Sequence, residues 1–593
     1  MQFDLVFVTY NSERWLPECL RSLANVEYDL KCLNLFFADN GSQDGTLSLL
    51  QQTKEREEFG SFEIIRNGAN LGFGAACNRG AAKGSSSYVF FLNVDTTMDA
   101  QLFVELEKAI QEHPEAGGFE CRQLPYELGH HIDPVTLETS WASGASFCVQ
   151  REKFEQVGGF DENLFMYCED VDLSWRIRAI GARLYYVPRA LVYHYVLARS
   201  SNSAAELREY AGTCIGKLLL QYKYGSWKQI VAANRVYLET LRHPQHFDGV
   251  RRVLLREYLN HFKRLWFFLR WRKAKPELFR AVNSPEIAAA QRIESGIEAE
   301  RGRFVLPQPV FNGPLISVVV RTCARPASLR KTLCSLRNQT YRNFEVLVME
   351  DGPETVRAML DEEFADLPIV YQASGVRQGR GKNGNRGLSM ARGEYLNFLD
   401  DDDYFYPDHL ELMAAKALQY PQADLILGCA MVMLVEMTDK ESWSYRVEKL
   451  HTMHFDRVDL FTMCQSCQIP IQSAVFKKSL FEQCGGLCED IEANEDWFMW
   501  MRYLAKGRRI DPAHVDIDRA TSIFVLPANR QEASDRIEKY KVYNQQFYQD
   551  DRLVFTVTLA QMRQFYDGII QDMRCLENNG TLHEHLEREA NRN

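Results

Sequence analysis

Four carboxylates in a row, Asp400-Asp401-Asp402-Asp403, close a stretch that reads as a buried strand, Gly393-Glu394-Tyr395-Leu396-Asn397-Phe398-Leu399. Acids at the end of a buried strand repel one another and resist desolvation. A hard divalent cation relieves that repulsion. Such a cation suits a diphosphate: it bridges the two phosphates and stabilises the charge that develops as they leave. The bland alternative is a solvated acidic turn capping a helix at Pro407-Asp408. A thinner version of the motif, Asn93-Val94-Asp95, follows the apolar run Tyr88 to Leu92.

Other polar residues fall in a related pattern. Asp39 and Glu350 each end an earlier apolar run and suit hydrogen bonds to a nucleoside base or ribose hydroxyl; taken alone, each also reads as a turn-capping carboxylate. Arg79 and Arg386, each beside a glycine, are candidates to reach phosphate. Glu169-Asp170 and Glu495-Asp496 open helices, where the dipole stabilises acids. Finding paired acids twice points to a general base that takes a proton from an attacking hydroxyl. His194, after Val192-Tyr193, reads as a third metal ligand or as a satisfied core histidine. Cys464/Cys467 and Cys484/Cys488 have loose zinc spacing, but the second pair lies in the segment leading to Glu495-Asp496, which argues against zinc. Gly72-Phe73-Gly74-Ala75-Ala76-Cys77 lacks the third glycine of a dinucleotide-binding turn and does not directly follow a strand.

The elements that must position these residues alternate. Leu5 to Val8, Leu33 to Ala38, Phe62 to Ile65 and Tyr88 to Leu92 read as strands, and Trp15, Leu16, Cys19, Leu20 and Leu23 form an apolar face at helical spacing. Strands alternating with helices predict a parallel, doubly wound sheet with ligands at the carboxyl ends of its strands. The same order recurs about 310 residues later: Ile316 to Val320, a helix through Leu329, Leu333 and Leu336, then Phe344 to Met349. Asn78-Arg79-Gly80 matches Asn385-Arg386-Gly387, and each glycine precedes the acidic motif by 13 residues, to Asn93 and to Asp400. Asp95 therefore pairs with Asp402. Gly158-Gly159 and Gly485-Gly486 then lead to Glu169-Asp170 and Glu495-Asp496, with one residue fewer in the second copy. This predicts two copies of one domain, at 1–203 and 314–530. A strand-poor helical region and linker lie between them at 204–313, and a helical extension follows at 531–593.

With 593 residues the chain exceeds one core, and 46% hydrophobic with 25% charged residues marks it as globular. A net charge of −11 argues against a broad nucleic-acid-binding surface. Met1-Gln2-Phe3-Asp4 lacks the basic start of a signal peptide, and the 15 cysteines form no dense framework, so reduced thiols in a cytoplasmic protein are expected. The longest apolar run, Leu425 to Val435, is too short to span a bilayer. The segment Tyr258 to Lys273 interleaves Phe262, Leu265, Trp266, Phe268, Leu269 and Trp271 with Lys263, Arg264, Arg270, Arg272 and Lys273. It suits either an interfacial helix on the inner face of the cytoplasmic membrane or a helix packed between the two copies.

Both halves resemble family 2 glycosyltransferases of the GT-A fold. The first half carries Val8-Thr9-Tyr10-Asn11, Asp39-Asn40-Gly41-Ser42, Asn70-Leu71-Gly72, Leu92-Asn93-Val94-Asp95, Gly158-Gly159-Phe160-Asp161-Glu162 and Glu169-Asp170-Val171-Asp172-Leu173. The second carries Thr322, Arg325-Pro326, Glu350-Asp351-Gly352, Phe398-Leu399-Asp400-Asp401-Asp402-Asp403 and Glu495-Asp496-Trp497. The first half is most similar to bacterial rhamnosyl- and galactofuranosyltransferases. The resemblance implies two Rossmann-like nucleotide-diphospho-sugar transferase domains and inverting transfer. It implies Mn2+ or Mg2+ at Asp95, with His194, in one site and at Asp400 and Asp402 in the other. It carries the base to Asp170 and Asp496, beside Glu169 and Glu495. Nucleotide-sugar contacts fall on Thr9, Asn11, Asp39, Asn40, Asn78 and Arg79, and on Thr322, Arg325, Glu350, Asp351, Asn385, Arg386 and Asp401. The chain departs from the family pattern at Asn93, at Cys323-Ala324, at Leu487-Cys488, and in having no clear counterpart of His194; by spacing, Asp518 is the nearest.

The expected function is a bifunctional, metal-dependent, inverting hexosyltransferase that builds a bacterial surface polysaccharide (O-antigen or capsule) from nucleotide-diphosphate sugars on a growing or lipid-linked glycan. Two rivals stand beside it. In one, a single active half is joined to a half kept as a carbohydrate-binding module or scaffold, for which the half with Asn93 is the better candidate. The other is a nucleotidyltransferase, which needs a basic, glycine-rich loop near the first strand that neither half shows.

Overall fold

The computed structural model describes residues 1–527 apart from 128–130, 196–202, 245–248, 286, 289–303, 306–307, 454–457, 459–462, 465–466, 492–493 and 507–519. The expected extension at 531–593 and Asp518 lie outside the described residues.

The first half is built on a sheet in the order Ser61–Arg66, Leu33–Asp39, Phe3–Thr9, Tyr88–Asn93, Ser146–Gln150, Gly118–Leu124, Leu184–His194, Thr96–Met98. The first four strands are parallel. Phe3, Leu5, Phe7, Leu35, Phe37, Phe90 and Leu92 bury one face against the helices Leu16–Ala24 and Leu102–Glu112. Val6, Phe36, Val89 and Phe91 bury the other against Phe73–Ala81 and Arg151–Val157. A strand covered on both faces must be apolar throughout, which is why these read as continuous runs.

The second half repeats this order: Ile369–Ala373, Phe344–Glu350, Ile316–Thr322, Tyr395–Asp400, Ala474–Lys477, Leu425–Leu427. The central register is the same in both. Thr9 pairs with Asp39 and Val8 with Asn93; Thr322 pairs with Glu350 and Arg321 with Asp400. A second sheet, Tyr404–Phe405, Ala520–Pro527, Cys429–Asp439, Ser444–Met453, completes this half. Both regions are α/β and have the GT-A architecture. Each repeat glycine has a steric reason: a Cβ on Gly80 would overlap Val6, and one on Gly387 would overlap Val319, so the helix lies directly on the first strand.

Between them, helices Ser203–Tyr224, Trp227–Arg242, Val250–His261, Arg264–Ala274 and Pro276–Val282 form their own core, joined by Leu164, Val171 and Trp175 of the first half. Phe268, expected on the aromatic-basic face, is fully buried here, while Trp266 is 68% exposed. Among the described residues the helix packs within this bundle and reaches the first half: Arg272 donates to the carbonyls of Gln221, Tyr222 and Lys223 on Ser203–Tyr224, and Arg264 donates to Asn163 Oδ1 of the first half at 3.0 Å.

The two halves meet directly. Buried Arg122 donates to Glu411 at 2.7 Å, and Leu124, Leu191 and Leu412 pack together beside this pair. Glu411 also accepts from Thr340 Oγ1 at 2.6 Å and from Val310 N at 2.9 Å. The Glu411 carboxylate is therefore satisfied on both oxygens as well as buried. The connecting segment adds a strand, Phe304–Val305, to Tyr126–Glu127 of the first half.

Candidate active sites

The first site opens at the carboxyl ends of Phe3–Thr9, Leu33–Asp39 and Tyr88–Asn93. Thr9 Oγ1 donates to Asp39 Oδ1 at 3.0 Å, and the amides of Gly41 and Ser42 donate to Asp39 Oδ2, each at 3.1 Å. Asn11 holds a left-handed backbone (φ 51°), which Asn tolerates, and accepts from Gln43 N at 2.8 Å. Asn40 is bonded to Asn67, Asn70 and Gly72. Thr9, Asn11, Asp39 and Asn40 are thus brought together, with the Asp39 carboxylate organising the turn.

Asp95 lies two residues past Asn93 and is buried. His194 ends Leu184–His194 in register with Thr96, which brings its Nε2 to 3.5 Å from Asp95 Oδ1. Its Nδ1 lies 2.9 Å from Gln123 Oε1, so Nδ1 carries the hydrogen and Nε2 presents its lone pair with no hydrogen-bond partner. Burial pulls the His194 pKa down to about 4, keeping the ring neutral. A neutral histidine oriented from behind by an amide, next to a buried carboxylate, is a donor set that fits Mn2+ or Mg2+. Among the described residues, no group of three or more His, Cys, Asp or Glu is placed to hold a metal. A cation here would take its other ligands from phosphate and water. Gln123 was not foreseen; only its position on a strand beside that of His194 reveals it.

Glu169 and Asp170 open the helix Glu169–Ala179. Gly144 N donates to Asp170 Oδ2 at 2.9 Å, and the next carbonyl, of Ala145, accepts from Asn93 N at 3.2 Å. One loop therefore joins the strand end to the base candidate. Burial pushes the Asp170 carboxyl above its ordinary value; burial and then Asp170 push Glu169 well above its own. The helix is gripped from behind. Asp172 accepts from Arg176 at 2.8 Å and Tyr224 at 2.7 Å and pairs with Lys223 at 2.6 Å, the last two supplied by the helical region.

The second site uses the same positions differently. Arg321 grips Asp400 through two bonds, Nε to Oδ1 at 2.7 Å and a terminal nitrogen to Oδ2 at 2.8 Å, and reaches Glu495 at 2.7 Å with its remaining arm. Arg325 pairs with Asp401 and, at 2.9 Å, with Asp402. Thr322 Oγ1 donates to Asp401 Oδ2 at 2.6 Å. Burial pushes Asp400 up, but Arg321, Arg380 and Arg325 outweigh it, and the carboxyl sits below its ordinary value. Asp496 is pushed up to about 7 by burial and by Glu495, against the opposing pull of Arg321 and Arg380. The expected cation at Asp400 and Asp402 meets carboxylates already paired with guanidiniums, so these residues do not fit a metal. The register Tyr404↔Ile523, continued by one residue, puts Phe524 opposite Asp403, the position His194 takes opposite Thr96. Arg321 was also missed; its signal is a charge at the penultimate position of an otherwise apolar strand.

Several expected nucleotide contacts are occupied elsewhere. Asn78 donates to Phe160 O at 3.0 Å and accepts from Phe160 N at 2.8 Å; Asn385 does the same to Leu487, at 3.0 and 2.7 Å. Both asparagines clasp the Gly-Gly turn, where their amides leave no room for a Cβ on Gly159 or Gly486. Glu350 is buried under Thr355 and Tyr371, and Asp351 accepts from Gln378 N at 2.7 Å and Gly379 N at 3.1 Å. Arg79 is exposed and donates to Asn67 at 3.1 Å; Arg386 donates to Asn383 Oδ1 at 2.7 Å and lies near the Glu350 carbonyl.

The family described as "Glycosyl transferase family 2" matches this chain twice, at residues 4–170 and 317–479. An N-acetylglucosaminyl-diphospho-decaprenol L-rhamnosyltransferase of Mycobacterium tuberculosis is 30% identical over 237 residues, covering 32% of this chain and 75% of the relative. Among solved structures, S. aureus TarS residues 1–349 with UDP is 21% identical (TM-score 0.29; 36% of this chain and 60% of that one). The mannosyltransferase PcManGT of Pyrobaculum calidifontis with GDP-Man and Mn2+ is 16% identical (TM-score 0.33; 48% of this chain and 86% of that one). The two matched stretches together exceed half of the chain, and each contains the strand ends of one of the sites described above: the chain belongs to glycosyl transferase family 2.

Proposed function

We propose that the chain is a bifunctional inverting glycosyltransferase, with one donor site in each half, that extends a bacterial surface polysaccharide such as O-antigen or capsule. The observation that carries this reading is the Glu-Asp pair at the head of a helix in both halves, its glutamate buried and its aspartate partly exposed, tied to the strand end by the Gly144-Ala145 loop in one and by Arg321 in the other. In each site the acceptor hydroxyl gives its proton to Asp170 or Asp496 as its oxygen bonds to the anomeric carbon. The bond from that carbon to the nucleoside diphosphate breaks on the opposite face, so configuration inverts. Asp95 and His194 would hold Mn2+ or Mg2+ in the first site, which supplies charge stabilisation to the departing diphosphate. Thr9, Asn11, Asp39 and Asn40 shape the pocket for the nucleoside in the first site, with Arg79 at its rim; Arg386 takes the place of Arg79 in the second half.

The relative from Mycobacterium tuberculosis is named for a diphospho-decaprenol acceptor, which supports a lipid-linked glycan as the acceptor here. No described helix is long and apolar enough to cross a membrane. Leu255, Leu259, Phe262 and Trp266 are nevertheless exposed at helical spacing among exposed Arg252, Arg256 and Lys263, a face suited to peripheral contact with the anionic inner leaflet. In this reading residues 1–203 and 314–530 are the transferase domains, working in the cytoplasm, and 204–313 docks the first on the membrane.

The test is nucleoside diphosphate release by the full chain across a panel of nucleotide sugars. Asp170→Asn and Asp496→Asn should each remove one product and leave the other. If neither variant changes any product, the two-site reading is wrong. If only Asp170→Asn does, the second half is a glycan-binding module.

A further inference from the structure

The second site departs from the first at three structurally equivalent positions, and each departure acts against a metal. At the penultimate residue of the central strand, Val8 becomes Arg321, while its partner in register changes from Asn93 to Asp400. Three residues past the matching Thr9 and Thr322, Ser12 becomes Arg325. Opposite the residue that follows the second acid, His194 becomes Phe524.

We propose that the second site holds no divalent cation and binds its nucleoside diphosphate through Arg325 instead, with Arg321 fixing the floor beneath it. This rests on reading the second half as a nucleotide-sugar site. Two guanidiniums carry the same +2 charge as the metal they replace, and their planar forks match phosphate as well as carboxylate. Arg321 is buried and spans Asp400 and Glu495, so it fixes the floor of the site and its link to the base helix. It also lies 5.5 Å over the Phe398 ring. A cation bound to Asp400 would strip that buried guanidinium of its two-bonded partner and leave it Glu495 alone, a costly change in a protein interior. The Arg325 side chain is 42% exposed and holds Asp401 and Asp402 from the solvent side. It can exchange a carboxylate for a phosphate when the donor arrives, which Arg321 cannot do without breaking the floor.

The proposal is tested on the full chain by counting bound Mn2+ and bound nucleoside diphosphate, with UDP, GDP and dTDP as probes, by equilibrium dialysis. The expected result is that Asp95→Asn/His194→Ala loses the bound Mn2+ while Asp402→Asn keeps it. In EDTA one nucleotide per chain should remain bound, and Arg325→Ala should weaken that nucleotide at least about tenfold. Loss of about one Mn2+ per chain in Asp402→Asn, or nucleotide binding by the second half only when Mn2+ is present, would overturn the inference. If the second half binds no nucleotide with or without Mn2+, the reading of it as a donor site falls, and this proposal falls with it.

Discussion

The two halves share a backbone register to the residue and differ in how they balance charge at one point of it. In the first, Val8 faces Asn93 across the parallel pair, both neutral, and buried Asp95 stands beside a neutral histidine. In the second, Arg321 faces Asp400 and supplies the positive charge from within the chain. A carboxylate beside a neutral histidine leaves room for a cation; carboxylates already held by guanidiniums do not. The half richest in carboxylates is therefore the one that least needs a metal. What decides it is the residue on the neighbouring strand, 79 positions earlier in the chain.

The strongest way to break the comparison is at the proton acceptors, where the halves are expected to behave alike. Asp170→Asn and Asp496→Asn should each cut transfer at their own site by about 10²–10⁴ with nucleotide binding retained, measured by product-resolved initial rates. Unequal losses would show that the halves differ in chemistry as well as in charge. Next in size is stability. Arg321→Ala takes the guanidinium from Asp400 and leaves buried Glu495 only Arg380, at 3.5 Å, and should lower unfolding free energy by about 3–5 kcal/mol in urea titration. Arg321→Val/Asp400→Asn copies the first half's neutral pair and should recover much of that loss.

A smaller effect is expected with pH. The base must be ionised to work, and Asp496 is pushed up to about 7, so second-site transfer should rise with pH and level off above about 7. His194 is held near 4, so first-site Mn2+ binding should survive acidification to about pH 5 and fail below it. A second-site rate that is flat from pH 5 to 8 would remove Asp496 from the base role. The smallest expected effect concerns the helical region: Phe262→Ser/Trp266→Ser should reduce flotation with anionic vesicles at low salt and leave the fold intact. Phe268 is unsuitable for this purpose because it is buried in the helical core.

The fold was legible in the sequence because its signals are local. Strand runs, strand-end acids and a glycine 13 residues before each acidic motif are all spaced along the chain, and the paired registers Thr9↔Asp39 and Thr322↔Glu350 match that reading. The site was legible only in part, because its electrostatics are set across strands. Arg321, Gln123 and Phe524 act through neighbours that no spacing rule reveals. Asn78 and Asn385 recur in both halves with the same neighbours, yet that recurrence reflects a turn they hold in place and not a ligand. Spacing pointed to Asp518 as the counterpart of His194, whereas strand pairing points to Phe524.

The central claim is that one chain carries a metal-requiring site and a metal-free one. It is tested most directly by measuring transfer in EDTA and in Mn2+ with Asp496→Asn, which leaves the first site working, and with Asp170→Asn, which leaves the second. EDTA should abolish transfer by Asp496→Asn, with Mn2+ restoring it, and should leave transfer by Asp170→Asn unchanged. Loss of transfer by Asp170→Asn in EDTA, or its persistence in Asp496→Asn, would contradict the account.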